Sequence, residues 1–115
     1  MKINFSSMIA EACASMGITD VFAVPGGGNM FLLNAFAASG KFNITFCHHE
    51  QSVAVAAEAF YRVSGRPAIC MVTSGPGSTN AITGIVGAWL DSSRVLVLAG
   101  QVKTADLNTA SVRQS

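Results

Sequence analysis

Apolar positions along the chain follow two alternating periods. Phe5, Ile9, Ala12, Cys13 and Met16 recur at helical spacing, predicting a helix over 6–16 behind a serine cap, with Gly17 placed to end it. A compact apolar run over 20–24 then reads as a strand that stops at a PGGG turn, and Met30, Leu33, Phe36 and Ala37 predict a second helix closing at Gly40. The pattern repeats: a strand over 43–47, an Ala-rich helix over 51–64 with Gly65 beyond its end, a strand over 68–73, a helix running to about Asp91, and a strand over 94–99. From Gln101 to Ser115 the periodicity vanishes, which reads as a loop or an element cut short. Strands apolar on both faces and alternating with helices are the mark of right-handed βαβ units around a parallel sheet, so the expected fold class is α/β, a parallel sheet flanked by helices. In such sheets functional groups collect where strands end and helices begin. The segments PGGG, HHEQ and TSGPGSTN all fall at that edge.

Composition narrows the picture. Half of the 115 residues are hydrophobic and only 11% are charged, against about 25% in average soluble domains, so part of the surface is expected to be covered by another domain or subunit. The length suits a single domain. With a net charge of +1 and no cluster of Lys or Arg, no nucleic-acid partner is expected. The uncharged stretches 21–40 and 67–90 are interrupted by polar, glycine-rich turns that lipid would leave unsatisfied, so no membrane span is expected either. No uninterrupted apolar run precedes Glu11, and no signal peptide is expected. Cys13, Cys47 and Cys70 are odd in number and lack CxxC spacing, which favours a reducing cytoplasm over a disulfide framework or a zinc site.

Each loop segment has a plain reading and a chemical one. PGGG lets backbone approach a ligand closely, or is simply a tight turn; it matches neither a dinucleotide fingerprint nor a P-loop. TSGPGSTN offers hydroxyls and an amide around a Gly-Pro-Gly bend, or merely a helix cap through Ser78 or Thr79. Glu50 stands in HHEQ between apolar runs. A carboxylate buried there would hold its proton more tightly and could serve as acid and base. As an acid in a first helical turn it would also be favoured by up to about 1 kcal/mol, and residue statistics favour that simpler role. His48 and His49 read as supporting or packing residues, because no third ligand stands at metal spacing, and Trp89 as core or interface filling. Gly84, Gly87 and Ala88 invite close approach of another helix.

Taken together, VPGGGN, HHEQ followed by AAEAFYRVSG, TSGPGSTNAITG, AWLDS and LAGQV occur in an order and spacing that resembles the N-terminal pyrimidine-binding (PYR) domain of thiamine-diphosphate-dependent enzymes of the acetolactate synthase, pyruvate oxidase and decarboxylase group. The resemblance runs from about Met8 to Gln101. It implies that Glu50 hydrogen-bonds a pyrimidine nitrogen of thiamine diphosphate and promotes the imino tautomer that removes the thiazolium proton. It further implies that Pro25, Gly26, Thr73, Pro76, Gly77 and Asn80 border the cofactor and that Gly27 and Gln101 face a 2-keto acid substrate. No metal site is expected on this chain. Family members are longer, with a central domain and a diphosphate-binding (PP) domain whose GDG motif holds Mg2+, and no GDG occurs here. The chain therefore reads as a single partial PYR domain over 1–115, incomplete at its C-terminus, needing a PP partner and pairing with a second PYR domain. Arg94 stands where the family usually has Pro.

The function expected is the pyrimidine-binding half of an acetolactate-synthase-like enzyme, a lyase or transferase component inactive alone. A non-catalytic dimerisation or regulatory module of the same fold is the alternative. Flavodoxin-like nucleotide binding through PGGG is a remote third, since no phosphate signature accompanies the glycines.

Overall fold

The computed structural model describes residues 4–107. Helix α1 (Phe5–Ser15) leads into strand β1 (Asp20–Ala23), a short 3-10 turn (Gly27–Asn29) and α2 (Met30–Ser39). Then come β2 (Asn43–Phe46), α3 (Glu50–Ser64), β3 (Ala68–Val72), the single-turn α4 (Pro76–Thr79), α5 (Ile82–Leu90) and β4 (Val95–Ala99). The expected alternation is present, and all the strands pair in parallel in the order β2-β1-β3-β4. Two local expectations are corrected. Asn4, not a serine, caps α1, its Oδ1 accepting from Ser7 N–H at 2.8 Å. The helix expected up to Asp91 is two, α4 and α5, broken at Asn80 and Ala81. Beyond Gln101 the described chain has one further 3-10 turn, Thr104–Asp106; the rest of the tail, 108–115, lies outside the described residues.

The connection from β1 to β2 runs one way along the sheet, and those from β2 to β3 and from β3 to β4 run the other. Right-handed crossovers then put α2 on one face and α3 and α5 on the opposite face. The packing agrees. One core gathers Ala10 and Cys13 of α1, Leu33 and Phe36 of α2, and Val21, Ala23, Ile69 and Met71 of the sheet. The other gathers Val53, Ala54 and Ala57 of α3 with Ala68, Cys70, Val72 and Ala81. β3 is central and buried along its whole length, whereas β4, at the edge, is only half-buried over Val95–Leu98. The two-faced burial explains why the strands read as continuous apolar runs rather than as alternating ones.

Gly84 lets α5 approach α3 of the same chain: a Cβ there would sit 2.5 Å from Ala54 Cβ. At the far end of that contact, Arg62 on α3 donates to Glu58 Oε1 and to Asp91, and Ser93 Oγ donates to Glu58 Oε1 at 3.1 Å. Arg62 and Asp91 are exposed, so their ion pair adds little energy, but together these bonds tie the α5–β4 turn to α3. The outer faces of these two helices leave apolar side chains in solvent, among them Val55, Ile82, Val86, Leu90 and Trp89, the last 82% exposed and so not core filling. The small charged fraction thus corresponds to an exposed apolar surface. No helix among the described residues is long and apolar enough to cross a membrane.

Candidate functional site

The strand order reverses direction at β1, so the loops after β1 and β3 diverge to opposite faces and leave a crevice between the C-terminal ends of those strands, where open α/β sheets bind ligands. Thr73 stands in it. Its Oγ1 accepts from Gly28 N–H at 2.9 Å, joining the two loops across the crevice. Its side chain also occupies space that other residues must leave free. A Cβ on Gly26 would lie 2.7 Å from Thr73 Cβ and Cγ2, one on Gly28 2.7 Å from Oγ1, and one on Gly77 2.6 Å from Cγ2. Gly26, Gly28 and Gly77, drawn from both motifs, are therefore matched to one threonine.

The TSGPGSTN loop turns at Gly75, whose φ of +61° is a conformation that a side chain would strain. Pro76 then opens α4 at a position that needs no N–H. Ser78 and Thr79 do not cap a helix, the plainer of the two readings of this segment: their hydroxyls donate to the carbonyls of Thr73 (2.6 Å) and Pro76 (3.2 Å). They hold the bend closed instead.

Glu50 is the first residue of α3, and His49 caps that helix, its Nδ1 accepting from Gln51 N–H at 3.0 Å. His48 and His49 are exposed, so capping rather than packing is what His49 does. Glu50 is half-buried rather than buried. One carboxylate oxygen, Oε2, accepts from Asn80 Nδ2 at 3.2 Å. The other, Oε1, lies 3.5 Å from where a Gly77 Cβ would be, so the missing side chain leaves it clear. A carboxyl with one oxygen held and one free can meet a polar group of a ligand at the free oxygen.

Of the residues singled out in the sequence, Gly26, Glu50, Thr73, Gly77 and Asn80 form this one connected group. Gln101 joins through its backbone, within 3.3 Å of a Cβ built on Gly28, while its side-chain oxygen accepts from Val102 N–H. Pro25 and Gly27 stand on the exposed rim of a hollow of about 630 Å3, lined also by Met30, Leu33 and Phe46; Pro76 is exposed. A second hollow, about 290 Å3, lies between Ser74, Gly75, Ser78 and Gly100. Glu50 lines neither. Sequence reasoning missed Asn29, which is fully buried in the PGGGN turn. Burial pushes the Cys47 thiol, next to HHEQ, up, and burial first, then the charge of Cys47, pushes Cys70 to about 11. No group of three or more His, Cys, Asp or Glu that could hold a metal ion occurs among the described residues.

If Thr73 sets the shape of the bend, Gly77→Ala should destabilise the domain by about 1–3 kcal/mol, the cost of overpacking. The collision is with one methyl, and the next atoms lie at 3.5 Å and 3.6 Å. Adding Thr73→Ser should therefore recover most of the loss, a coupling that denaturant unfolding of the double-mutant cycle measures.

A doubly wound parallel sheet with a carboxylate and a glycine-rich bend at its reversal point defines a class of crevice-binding α/β domain. The chain belongs to the family described as "Thiamine pyrophosphate enzyme, N-terminal TPP binding domain", whose profile matches residues 3–115. It is similar to acetolactate synthase 2, chloroplastic, of Nicotiana tabacum, 37% identical over 110 residues that cover 96% of this chain and 17% of that protein. It is also similar to the acetolactate synthase isozyme 2 large subunit of Escherichia coli (strain K12), 37% identical over 107 residues, or 93% of this chain and 19% of that protein. The chloroplastic acetolactate synthase of Arabidopsis thaliana is 36% identical over 96% of this chain and 16% of its own length. The chain thus spans under a fifth of the length of these relatives.

Proposed function

We propose that this chain is the pyrimidine-binding part of a thiamine-diphosphate-dependent enzyme that acts on 2-keto acids in the manner of acetolactate synthase. The observation that carries the proposal is the carboxylate of Glu50, held through Oε2 by Asn80 and left open at Oε1 beside side-chain-free Gly77. This donor set fits an aminopyrimidine, whose ring nitrogen needs a partner able to share a proton. When bound, thiamine diphosphate supplies the electron sink for cleaving the bond beside the keto group. Glu50 holds and moves the proton at the pyrimidine nitrogen. Asn80 keeps the carboxyl turned toward the crevice. Gly26, Thr73, Pro76 and Gly77 shape the wall on which the ring lies, with Pro25 at its rim, and Gly27 and Gln101 face the 2-keto acid.

The remaining parts of the site belong to other domains in this reading. The diphosphate and its Mg2+ go to a PP domain, in keeping with the small share of the relatives that this partial PYR domain over 1–115 covers. The exposed apolar faces of α3 and α5 support pairing with a second PYR domain. The unpaired thiols suit a reducing, cytoplasmic setting. Calorimetry with thiamine diphosphate and Mg2+ should give cofactor-dependent heat when the chain is joined to or mixed with its PP partner. No heat in that mixture would leave a non-catalytic module of the same fold.

Gly27 offers a separate check. Its φ is not positive, and a Cβ on it would meet nothing within 4 Å in this chain. Gly27→Ala should leave the melting temperature unchanged or slightly raised, by up to about 1 kcal/mol in stability. The kcat/KM for the 2-keto acid should nevertheless fall roughly tenfold, or about 1.4 kcal/mol. Equal catalytic efficiency in the two proteins would remove Gly27 from the substrate wall.

A further inference from the structure

Asn29 is buried completely, and it stands at the N-cap of α2, a place where Asn ordinarily accepts from the first free helical N–H groups. It makes no such bond. Its side chain turns back instead: Oδ1 accepts from Gly26 N–H at 2.9 Å, and Nδ2 donates to Val24 C=O at 3.0 Å. These two groups flank Pro25, which has no N–H of its own to anchor it. One amide therefore clamps the corner Val24–Pro25–Gly26 from both sides. The same loop is held further along by the Gly28 N–H bond to Thr73 Oγ1. Between these clamps, Pro25 and Gly27 are exposed on the rim of the 630 Å3 hollow. The corner is thus pinned from behind, while the face it presents is bare.

The geometry points to Asn29 as a positioning residue that sets the Pro25–Gly27 wall at the distance the bound 2-keto acid requires. It gives up helix capping to do so. It touches neither Glu50 nor Asn80 in its hydrogen bonding, so its effect falls on substrate placement and not on the proton held at position 50. This assignment rests on the function proposed above.

The test uses the complete enzyme, this chain joined to or assembled with its PP domain, carrying Asn29→Ala or the milder Asn29→Ser, which retains a hydroxyl near Gly26. Three quantities are read: the KM for the 2-keto acid, the exchange rate of the thiazolium proton at saturating thiamine diphosphate, and the melting temperature. For Asn29→Ala the expected result is a KM raised about tenfold or more, the scale of a small misplacement, with a smaller rise for Asn29→Ser. Proton exchange should stay within about twofold of the unsubstituted enzyme, the signature of lost binding without lost chemistry. A KM unchanged in folded variants overturns the assignment. So does a parallel fall of exchange and substrate affinity that tracks the loss of melting temperature, or failure of both variants to assemble, since each marks a purely structural role. Failure of the underlying function looks different: the unsubstituted enzyme itself would neither bind the cofactor nor exchange its proton, and the assignment would fall with it.

Discussion

Replacing Glu50 by Gln is expected to slow exchange of the thiazolium proton of bound thiamine diphosphate by about tenfold or more, the lower end of what a positioned acid–base group contributes. The substitution preserves shape and leaves an oxygen to accept from Asn80 Nδ2, but it removes the proton that the group would share with the pyrimidine nitrogen. Stability should scarcely change. Glu50 begins a helix of 15 residues, where a negative charge is favourable by about 0.3–1 kcal/mol, a small part of the roughly 5–15 kcal/mol that holds a domain together. A large kinetic effect with a small thermodynamic one is thus expected, and hydrogen–deuterium exchange of the cofactor read by NMR, beside a thermal melt, separates the two. If Glu50 served only to offset the helix dipole, proton exchange would be unchanged and the small loss of stability would be the whole effect.

The largest structural effect is expected at Gly100. A Cβ there would lie 2.2 Å from the carbonyl oxygen of Gly28, 2.3 Å from its carbon and 2.8 Å from Asn29 N. These are backbone atoms, so no rotamer can move aside. Gly100→Ala must push the PGGG loop off the end of β4, at a cost of about 3 kcal/mol, the upper part of the overpacking range. The shift should also break the bond from Gly28 N–H to Thr73 Oγ1 and open the crevice. Urea unfolding should show a lowered midpoint with an unchanged slope, and the Gly28 amide should lose its protection from solvent exchange. Gly27→Ala, one residue before Gly28 in the same loop, is the contrasting case, since its added methyl meets open space.

The alternation of apolar strands with helices was legible because a central parallel strand is buried on both faces, and β3 carries that signal without interruption. The ends of β1 and β4 were legible because Pro25 and Gly100 follow them closely, whereas β2 runs into HHEQ with no such signal. What remained hidden depends on choices between residues of similar propensity. Asn4 and the serines beside it are comparable helix caps, and only the backbone geometry selects Asn4. The break between α4 and α5 at Asn80 and Ala81 shifts the helix without disturbing the apolar run, so periodicity cannot report it. Trp89 reads as core or interface filling by type, and residue type alone cannot tell that it is 82% exposed in this chain.

At the candidate site, the motif letters brought Gly26, Glu50, Thr73, Gly77 and Asn80 forward together, and the fold brings them into one group. Their division of labour was not legible. Thr73 makes its hydrogen bond to the neighbouring loop 45 residues away, a relation that no local pattern contains. Asn29 carried a usable signal: an amide three residues after Gly26, in the tripeptide turn that precedes a helix, is placed to bond back onto that turn. Glu50 is less buried than its apolar neighbours in sequence suggest, because Val53 and Ala54 turn inward while Gln51 and Ser52, beside Glu50 in the first turn of α3, are exposed.

The most direct measurement is a crystal structure of the complete enzyme with thiamine diphosphate bound. The expected result is Glu50 Oε1 within hydrogen-bonding distance of a pyrimidine ring nitrogen, with Asn80 still holding Oε2. A pyrimidine ring bound elsewhere, with the Glu50 carboxylate facing bulk water, would contradict the role assigned to this chain.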